Sequence, residues 1–562
     1  MHYKVIRFVD MRFVKHIFLL LLALVLLGTD TLAIVKFPCF GKSKRHVVSK
    51  KVDLKGEELC LPEKTTLVID DNGGFYNGTI SGNNIRILAP EKSVFSSSVT
   101  TRFVNAKLKS NWYEDLISCI TGNENCSIYI VPGDYSIDNP IYIKISSSLK
   151  ADGNVTINHT NSFSIGDNVT IDGITWDGKD KAEYWMYSQP SNLTIRNCTF
   201  KNYYGKSSGI VYWSHSEDNT EGLIIENCTF GRVGAKENGM IGDMDGSSFA
   251  VYTYRCNNVV IKNNRFENQY GTEDSDAIKI EGQRIDVQGN FPLPSGESYK
   301  YSDINAIIEN NEFIDVPKSP VKIFASGVKV RNNKMSYRGE VKTAIARMFQ
   351  GENLLVEGNV AEGADAVSNA IEVYGCREVR LNNNSVKSLS DDGKAFGELL
   401  RIEKSVNVIV SGMNISMRSS SRINTNQALV RLSGRDVTIK NSHFHAPFSY
   451  YGIYAPLGIE NMKVEKSTIE VSKGIQYAFL VNNAVKDPQG TCTFSKCSFR
   501  LASDKIDNAT SYGAAFAHDI IVKDCEFDYA QSITLNAAKV DVKRSKARKF
   551  NIQEREEVVS NL

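Results

Sequence analysis

The feature that most constrains this chain is a short unit that keeps returning. It reads apolar, any, apolar, polar, Asn, small, polar, aromatic or apolar. It runs from Leu193 to Phe200, Leu223 to Phe230, Val259 to Phe266, Ala306 to Phe313 and Val328 to Met335. Weaker copies anchor on Val356, Leu381, Val410, Ile439, Val464, Phe494, Val522 and Val542, and Ile171 stands in front. That makes 14 units, mostly 20 to 36 residues apart with one gap of 47. A period of this length means stacked supersecondary units, each burying its apolar side against the next.

Each unit reads as strand, sharp bend, strand. Alternation of period two puts Val259, Ile261 and Phe266 on one side. The residue after the bend is Asn264, Asn311, Asn333, Asn359 and Asn384 in five successive units. Stacked about 4.8 Å apart, these amides can bond to one another and to turn backbone. Cys198, Cys228, Cys497 and Cys525 occupy the same slot, as small buried residues. A further strand precedes most units, as in Phe249 to Tyr252, Ala277 to Ile280 and Ala370 to Val373. Three strands per coil predict an all-β fold, a right-handed single-stranded parallel β-helix of about 14 coils. Asn192, Asn197 and Asn227 sit in sequons, but inside this grammar they read as turn residues.

The 562 residues carry 66 basic and 64 acidic side chains, a balance that gives no reason to expect nucleic acid as a partner. At the N-terminus Arg12, Lys15 and His16 precede an apolar run, Ile17 to Leu27, with Thr31 and Ala33 at the −3 and −1 positions of a cleavage site. The run is too short to span a bilayer and fits a secretory signal. The expected organisation is a signal peptide over 1–33, a lead-in and cap over 34–125, the β-helix over 126–548 and a tail over 549–562. The expected location is secreted, periplasmic or cell-surface, with no membrane span after signal cleavage. Eleven cysteines leave room for a local bridge, Cys119 with Cys126. No Cys or His set has zinc spacing.

The repeat resembles the pectate-lyase-like superfamily of parallel β-helices, which includes pectate lyases, polygalacturonases and tailspikes. The stretch Ser127 to Ile137, with Pro132, Gly133 and Tyr135, resembles the superfamily's opening coil. The resemblance implies a polysaccharide as substrate or ligand on one exposed face. Alternation puts Lys279 and Glu281 outward, and the same reasoning assigns Val211, Ala250, Lys322, Glu372, Arg401 and Arg431 to the slot of Lys279. The slot of Glu281 takes Trp213, Tyr252, Phe324, Tyr374 and Glu403. Aromatics can stack on sugars, and Lys or Arg can bind carboxylates. Arg347 joins the candidate substrate-binding set.

Glu273 to Glu281 resembles a polygalacturonase motif, with Asp274, Asp276 and Lys279 at its positions. The following coil has Lys318-Ser319 where those enzymes have paired Asp, so the pattern departs from theirs. The candidate catalytic residues are Asp274, Asp276, Lys279, Glu281 and Lys322. Hydrolysis would use the carboxylates, and β-elimination from a uronic acid would use Lys279, Lys322, Arg347 or Arg401. Calcium, which related lyases use, has candidate ligands in Asp274, Asp276 and Glu281, or in Asp243 and Asp245. His443 and His445 flank Phe444 and read as surface residues. The insertion Gln283 to Ser302 is expected to wall a groove. Two functions follow: cleavage of an acidic polysaccharide by elimination or hydrolysis, or glycan binding without catalysis, as in an adhesin.

Overall fold

A computed structural model describes residues 44–204, 209–214, 216, 218–234, 248–269, 275–286, 299–316, 318–363, 366–387, 398–417, 428–446, 451–471, 477–486, 488–501, 511–528 and 530–554. The expected signal segment lies outside them, as do Asp243, Asp245 and Asp274. Among the described residues no helix is long and apolar enough to cross a membrane. The chain divides into two compact units, up to Asn123 and from Glu124 onward.

The first unit is built from short parallel strands. Arg45–Val48, Thr66–Ile69 and Arg86–Leu88 stack in that order. Glu58–Leu61, Gly78–Asn83 and Val99–Val104 form a second stack. A single turn of helix, Leu116–Thr121, closes the unit, and Asp115 caps it by accepting from the Ser118 amide at 2.7 Å.

The second unit is a single-stranded parallel β-helix. All fourteen expected units pair in sequence order, from Thr170–Asp177 to Lys539–Lys543. Two further rungs precede them, Ser127–Ile130 and Ser148–His159. A representative coil has a first strand Ser248–Tyr254, a second strand Cys256–Lys262 and a third strand Arg265–Glu267. The first strand of the coil at Glu340–Phe349 is one the repeat reading passed over.

The bend between second and third strands explains the repeated asparagines. Asn197, Asn227, Asn263, Asn310 and Asn332 stand there at φ between 54° and 56°, the left-handed region that Asn tolerates. The next residue points inward and builds the ladder. Asn264 Nδ2 donates to Asn311 Oδ1, Asn311 to Asn333, Asn333 to Asn359 and Asn359 to Asn384, each at 2.9 to 3.0 Å. The same Oδ1 atoms also accept from the backbone N–H of the previous coil. Cys228 continues the series, its N–H donating to Asn264 Oδ1. Cys497 donates its thiol to the Val464 carbonyl. Cys228 is a buried core residue, and burial pushes its thiol up. The expected Cys119–Cys126 bridge is absent, and both are buried thiols.

One step further along, the aromatic position stacks as well. Phe200, Phe230, Phe266 and Phe313 lie ring over ring at 5.1, 4.8 and 5.0 Å, with interplanar angles of 13°, 9° and 11°. Beneath them, in the earliest coils, Phe163, Trp176 and Trp185 form an aromatic core around His159.

Candidate functional site

The first strands carry the outward side chains that matter. Their register runs Tyr187, Tyr212, Tyr252, Lys279, Lys322, Arg347, Glu372, Arg401, Arg431 and Tyr454, one per coil. A second outward column holds Tyr254, Glu281, Phe324, Phe349, Tyr374 and Glu403. This corrects the alternation reading in the early coils. Ile210 with Val211, Ala250 with Val251 and Ala277 with Ile278 are adjacent pairs, and all are fully buried. Two consecutive inward residues break the period of two. Val211 and Ala250 therefore face the core, and the slot of Lys279 is filled by Tyr212 and Tyr252.

Trp213 is likewise corrected. It is fully buried, and its Nε1 donates to Thr220 Oγ1 at 3.0 Å, so it cannot stack on a sugar. Tyr252 lies on the outward column but is only 2% exposed. Its hydroxyl donates to Glu281 Oε2 at 3.1 Å. Burial, and then the Glu281 charge, raises its pKa. In these early coils the column's rings that reach solvent include Tyr187, at 46%, and the half-buried Tyr212, with the half-buried Tyr184 beside them. Tyr187 and Tyr212 stack at 5.6 Å with 13° between planes, and Tyr184 packs against both. Farther along, Tyr451 stacks on Tyr454 at 4.1 Å and on Tyr477 at 5.7 Å. Sequence reading missed these tyrosines. The doubled residues hid Tyr212, and Tyr454 stands one coil beyond the last strand that carried a charge, that of Arg431.

Between the two tyrosine groups the column is charged, and each charge has a partner. Lys279 Nζ stands over Phe249, Tyr252 and Phe324 at 5.3, 5.1 and 5.4 Å, with Glu281 Oε2 at 3.6 Å. Lys322 Nζ lies 3.8 Å from Asp276 Oδ2, and both side chains are nearly buried. Arg347 Nε donates to Glu372 at 2.6 Å, and Arg401 bridges Glu372 and Glu403. Arg431 Nε donates to Glu403 at 2.6 Å, and its other end reaches Glu398 at 3.0 Å. The Arg401 pKa is raised: burial would lower it, but Glu403, Glu372 and Glu398 outweigh that. Lys404 Nζ donates to the Tyr374 hydroxyl at 3.0 Å.

The structure thus brings Asp276, Lys279, Glu281 and Lys322 together on adjoining coils. Arg347, Glu372, Arg401, Glu403 and Arg431 form a chain of alternating charge on the coils that follow. Of the expected calcium ligands only Asp276 and Glu281 are among the described residues, and each lies beside a lysine ammonium group. The insertion leaves the helix as an antiparallel stem, Arg284–Asp286 against Tyr299–Tyr301. Tyr301 packs on Phe324 at 5.4 Å, so the stem stands beside the second column. Residues 287–298, which would make the rest of the expected wall, lie outside the described set.

No protein-family model matches the sequence, and no curated protein does. Solved structures similar to it include a PL6 alginate lyase in complex with a trisaccharide, at 11% identity, covering 64% of this chain and 85% of that one, with a TM-score of 0.38. The A-module of a mannuronan C-5 epimerase from Azotobacter vinelandii is 11% identical, covering 75% and 91%, with a TM-score of 0.35. The surface adhesin PfbA of Streptococcus pneumoniae is 12% identical, covering 76% and 91%, with a TM-score of 0.29. These likenesses carry nothing about reaction or ligand.

Proposed function

We propose that this protein is an exported polysaccharide-binding β-helix whose ligand lies along the first strands. One observation carries the reading. Accessible tyrosines flank a row of ion-paired charges that runs along one outward face, from Tyr187 to Tyr454. Aromatic rings offer flat faces to sugars, and cross-coil ion pairs hold carboxylates and guanidinium groups in fixed positions for hydroxyls. Export rests on the Ile17 to Leu27 run with its flanking residues.

A second reading is cleavage at Asp276, Lys279, Glu281 and Lys322. It is favoured by the low exposure of four charged groups on the outward side of neighbouring coils, the setting in which catalytic groups are found. Elimination from a uronic acid would need Lys279 or Lys322 to part from its carboxylate, lose its ammonium proton to solvent and, as the neutral amine, take the C5 proton. Hydrolysis would need Asp276 and Glu281 as acid and base.

One panel of neutral and uronic-acid polysaccharides tests both readings. Binding is followed by retardation in affinity gels, and cleavage by ultraviolet absorbance of unsaturated uronates and by new reducing ends. Binding weakened about tenfold in a Tyr187→Ala, Tyr212→Ala double variant supports the first reading. Cleavage abolished by Asp276→Ala and Lys279→Ala establishes the second. Absence of binding across the panel overturns both.

A further inference from the structure

The first unit carries a hollow that the proposed glycan face does not use. Strand Lys51–Asp53 pairs in parallel with Gly74–Tyr76, setting Lys51 against Gly74. Phe95 bridges Phe75 on one side and Tyr113 on the other, and all three rings are buried. The residues that follow them, Tyr76, Ser96 and Glu114, therefore face outward on three successive rungs. The Ser96 N–H donates to the Phe75 carbonyl at 3.1 Å and the Glu114 N–H to the Phe95 carbonyl at 3.2 Å, which fixes their order. Next to Tyr76 the chain has no side chain at Gly73 and Gly74. A Cβ on Gly73 would collide with the Val48 carbonyl oxygen, and one on Gly74 would stand 2.9 Å from that of Val94. The close stacking of strands thus requires glycine at both positions. Their bare backbone lines a cavity of about 340 Å³.

The side chains around this cavity are of several kinds. Tyr76 is 39% exposed, so its ring is open to solvent. Glu114 Oε2 accepts from the Ser97 N–H at 2.7 Å. That amide first, then the Ser97 hydroxyl and the charge of Lys51, hold the Glu114 carboxyl below its ordinary range, against a smaller opposing effect of burial. Lys51 adds a donor, and Ser93 and Ser96 add hydroxyls that can donate or accept.

We propose that this hollow binds one or two rings of a neutral sugar. A pyranose has an apolar face for the tyrosine ring and a rim of hydroxyls for the carboxylate, the ammonium group and the serines. The volume lies at the small end of ligand cavities, about 300 to 1,000 Å³, so only a short piece of glycan is held. The charges of Lys51 and Glu114 offset each other, and a uronate entering beside Glu114 would meet a like charge. The proposal does not rest on the reading of the first strands, since every residue named here belongs to the first unit.

The test is a saturation-transfer NMR titration of the full-length protein with glucose, galactose, mannose, N-acetylglucosamine, maltose and cellobiose, with glucuronate and glycine alongside. The expected result is saturable binding of at least one neutral sugar. Its affinity should fall by about tenfold or more in Tyr76→Ala and in Glu114→Gln. Tyr76→Phe, which keeps the ring, should retain most of it. A Tyr187→Ala, Tyr212→Ala double variant, which removes the other face, should retain it in full. Both Tyr76 and Glu114 are exposed, so their variants should keep the thermal midpoint of the wild type. No neutral sugar bound, equal affinity in wild type, Tyr76→Ala and Glu114→Gln, loss in the double variant, or preference for glucuronate or glycine would each overturn the assignment.

Discussion

The imidazole of His159 is only 1% exposed, inside the first coils of the β-helix. Its Nδ1 lies 2.9 Å from the Asn161 carbonyl oxygen, which can only accept, so Nδ1 carries the proton. Its Nε2 therefore accepts from the Tyr203 hydroxyl at 2.8 Å. This arrangement requires a neutral ring. Burial lowers its pKa to about 4, against the smaller upward pulls of Asn161 and Asp177. The unfolded chain, titrating near 6.5, then binds more protons than the folded one at mildly acid pH. Stability from this residue is complete above about pH 6.5 and is lost as pH falls through about 4, up to roughly 3 kcal/mol. The thermal midpoint should drop more for the wild type than for His159→Gln between about pH 7.5 and about pH 4.5. Equal drops would show that the ring is not the acid-sensitive group. Nothing in the sequence marks His159, because its partner Tyr203 is two coils away. Trp213 shows the same limit from the other side: its direction depends on two adjacent buried residues that no count of alternation reveals.

At the scale of the strand and its bend, the sequence was far more legible. An inward residue following a left-handed Asn is a local pattern, and stacking repeats it with little change. Five asparagines, two cysteines before them and two near the end were all placed correctly in one slot. The ladder is also where a single change should cost most. Asn333 Nδ2 donates to Asn359 and to the Ile308 carbonyl, while its Oδ1 accepts from Asn311. Asn333→Leu leaves the Ile308 carbonyl and the Asn311 N–H buried and unmet, a cost of about 3 kcal/mol or more. Asn333→Ser should be markedly milder. Ser442 and Ser467 fill the same slot later, each hydroxyl donating to the carbonyl two residues earlier and accepting the N–H of the preceding coil. Chemical unfolding of the two variants, followed by circular dichroism, checks the order. A serine variant as unstable as the leucine one would remove the hydrogen-bond account. The first strands were less legible because their outward residues are not repeated. Tyrosine, lysine, arginine and glutamate succeed one another there, and only the register says which belong together.

On the scale of the whole β-helix, stability is a sum of coils and their nearest-neighbour contacts. A run of charges is tolerable on such a stack only when its members alternate or pair. Here Arg347, Glu372, Arg401, Glu403 and Arg431 alternate almost strictly along the coils, and Lys279 and Lys322 each face a carboxylate. The cations thus have their charge met within the protein, which separates two kinds of glycan binding. A surface of uncompensated cations would hold an anionic polysaccharide by long-range attraction, and its affinity would collapse as the screening length shrinks from about 10 Å at 0.1 M salt to about 3 Å at 1 M. A surface of tyrosine platforms with a neutral charged row between them binds by contact, and contact is little affected by salt. The expected outcome is an affinity that changes less than about threefold between 0.1 M and 1 M NaCl while remaining sensitive to Tyr187→Ala and Tyr454→Ala. A steep fall with salt would mean instead that the ligand opens the Lys279–Glu281 and Lys322–Asp276 pairs and takes their cations. That is the step an elimination mechanism requires, so the salt dependence of binding discriminates the recognition reading from the eliminative one before any product is sought.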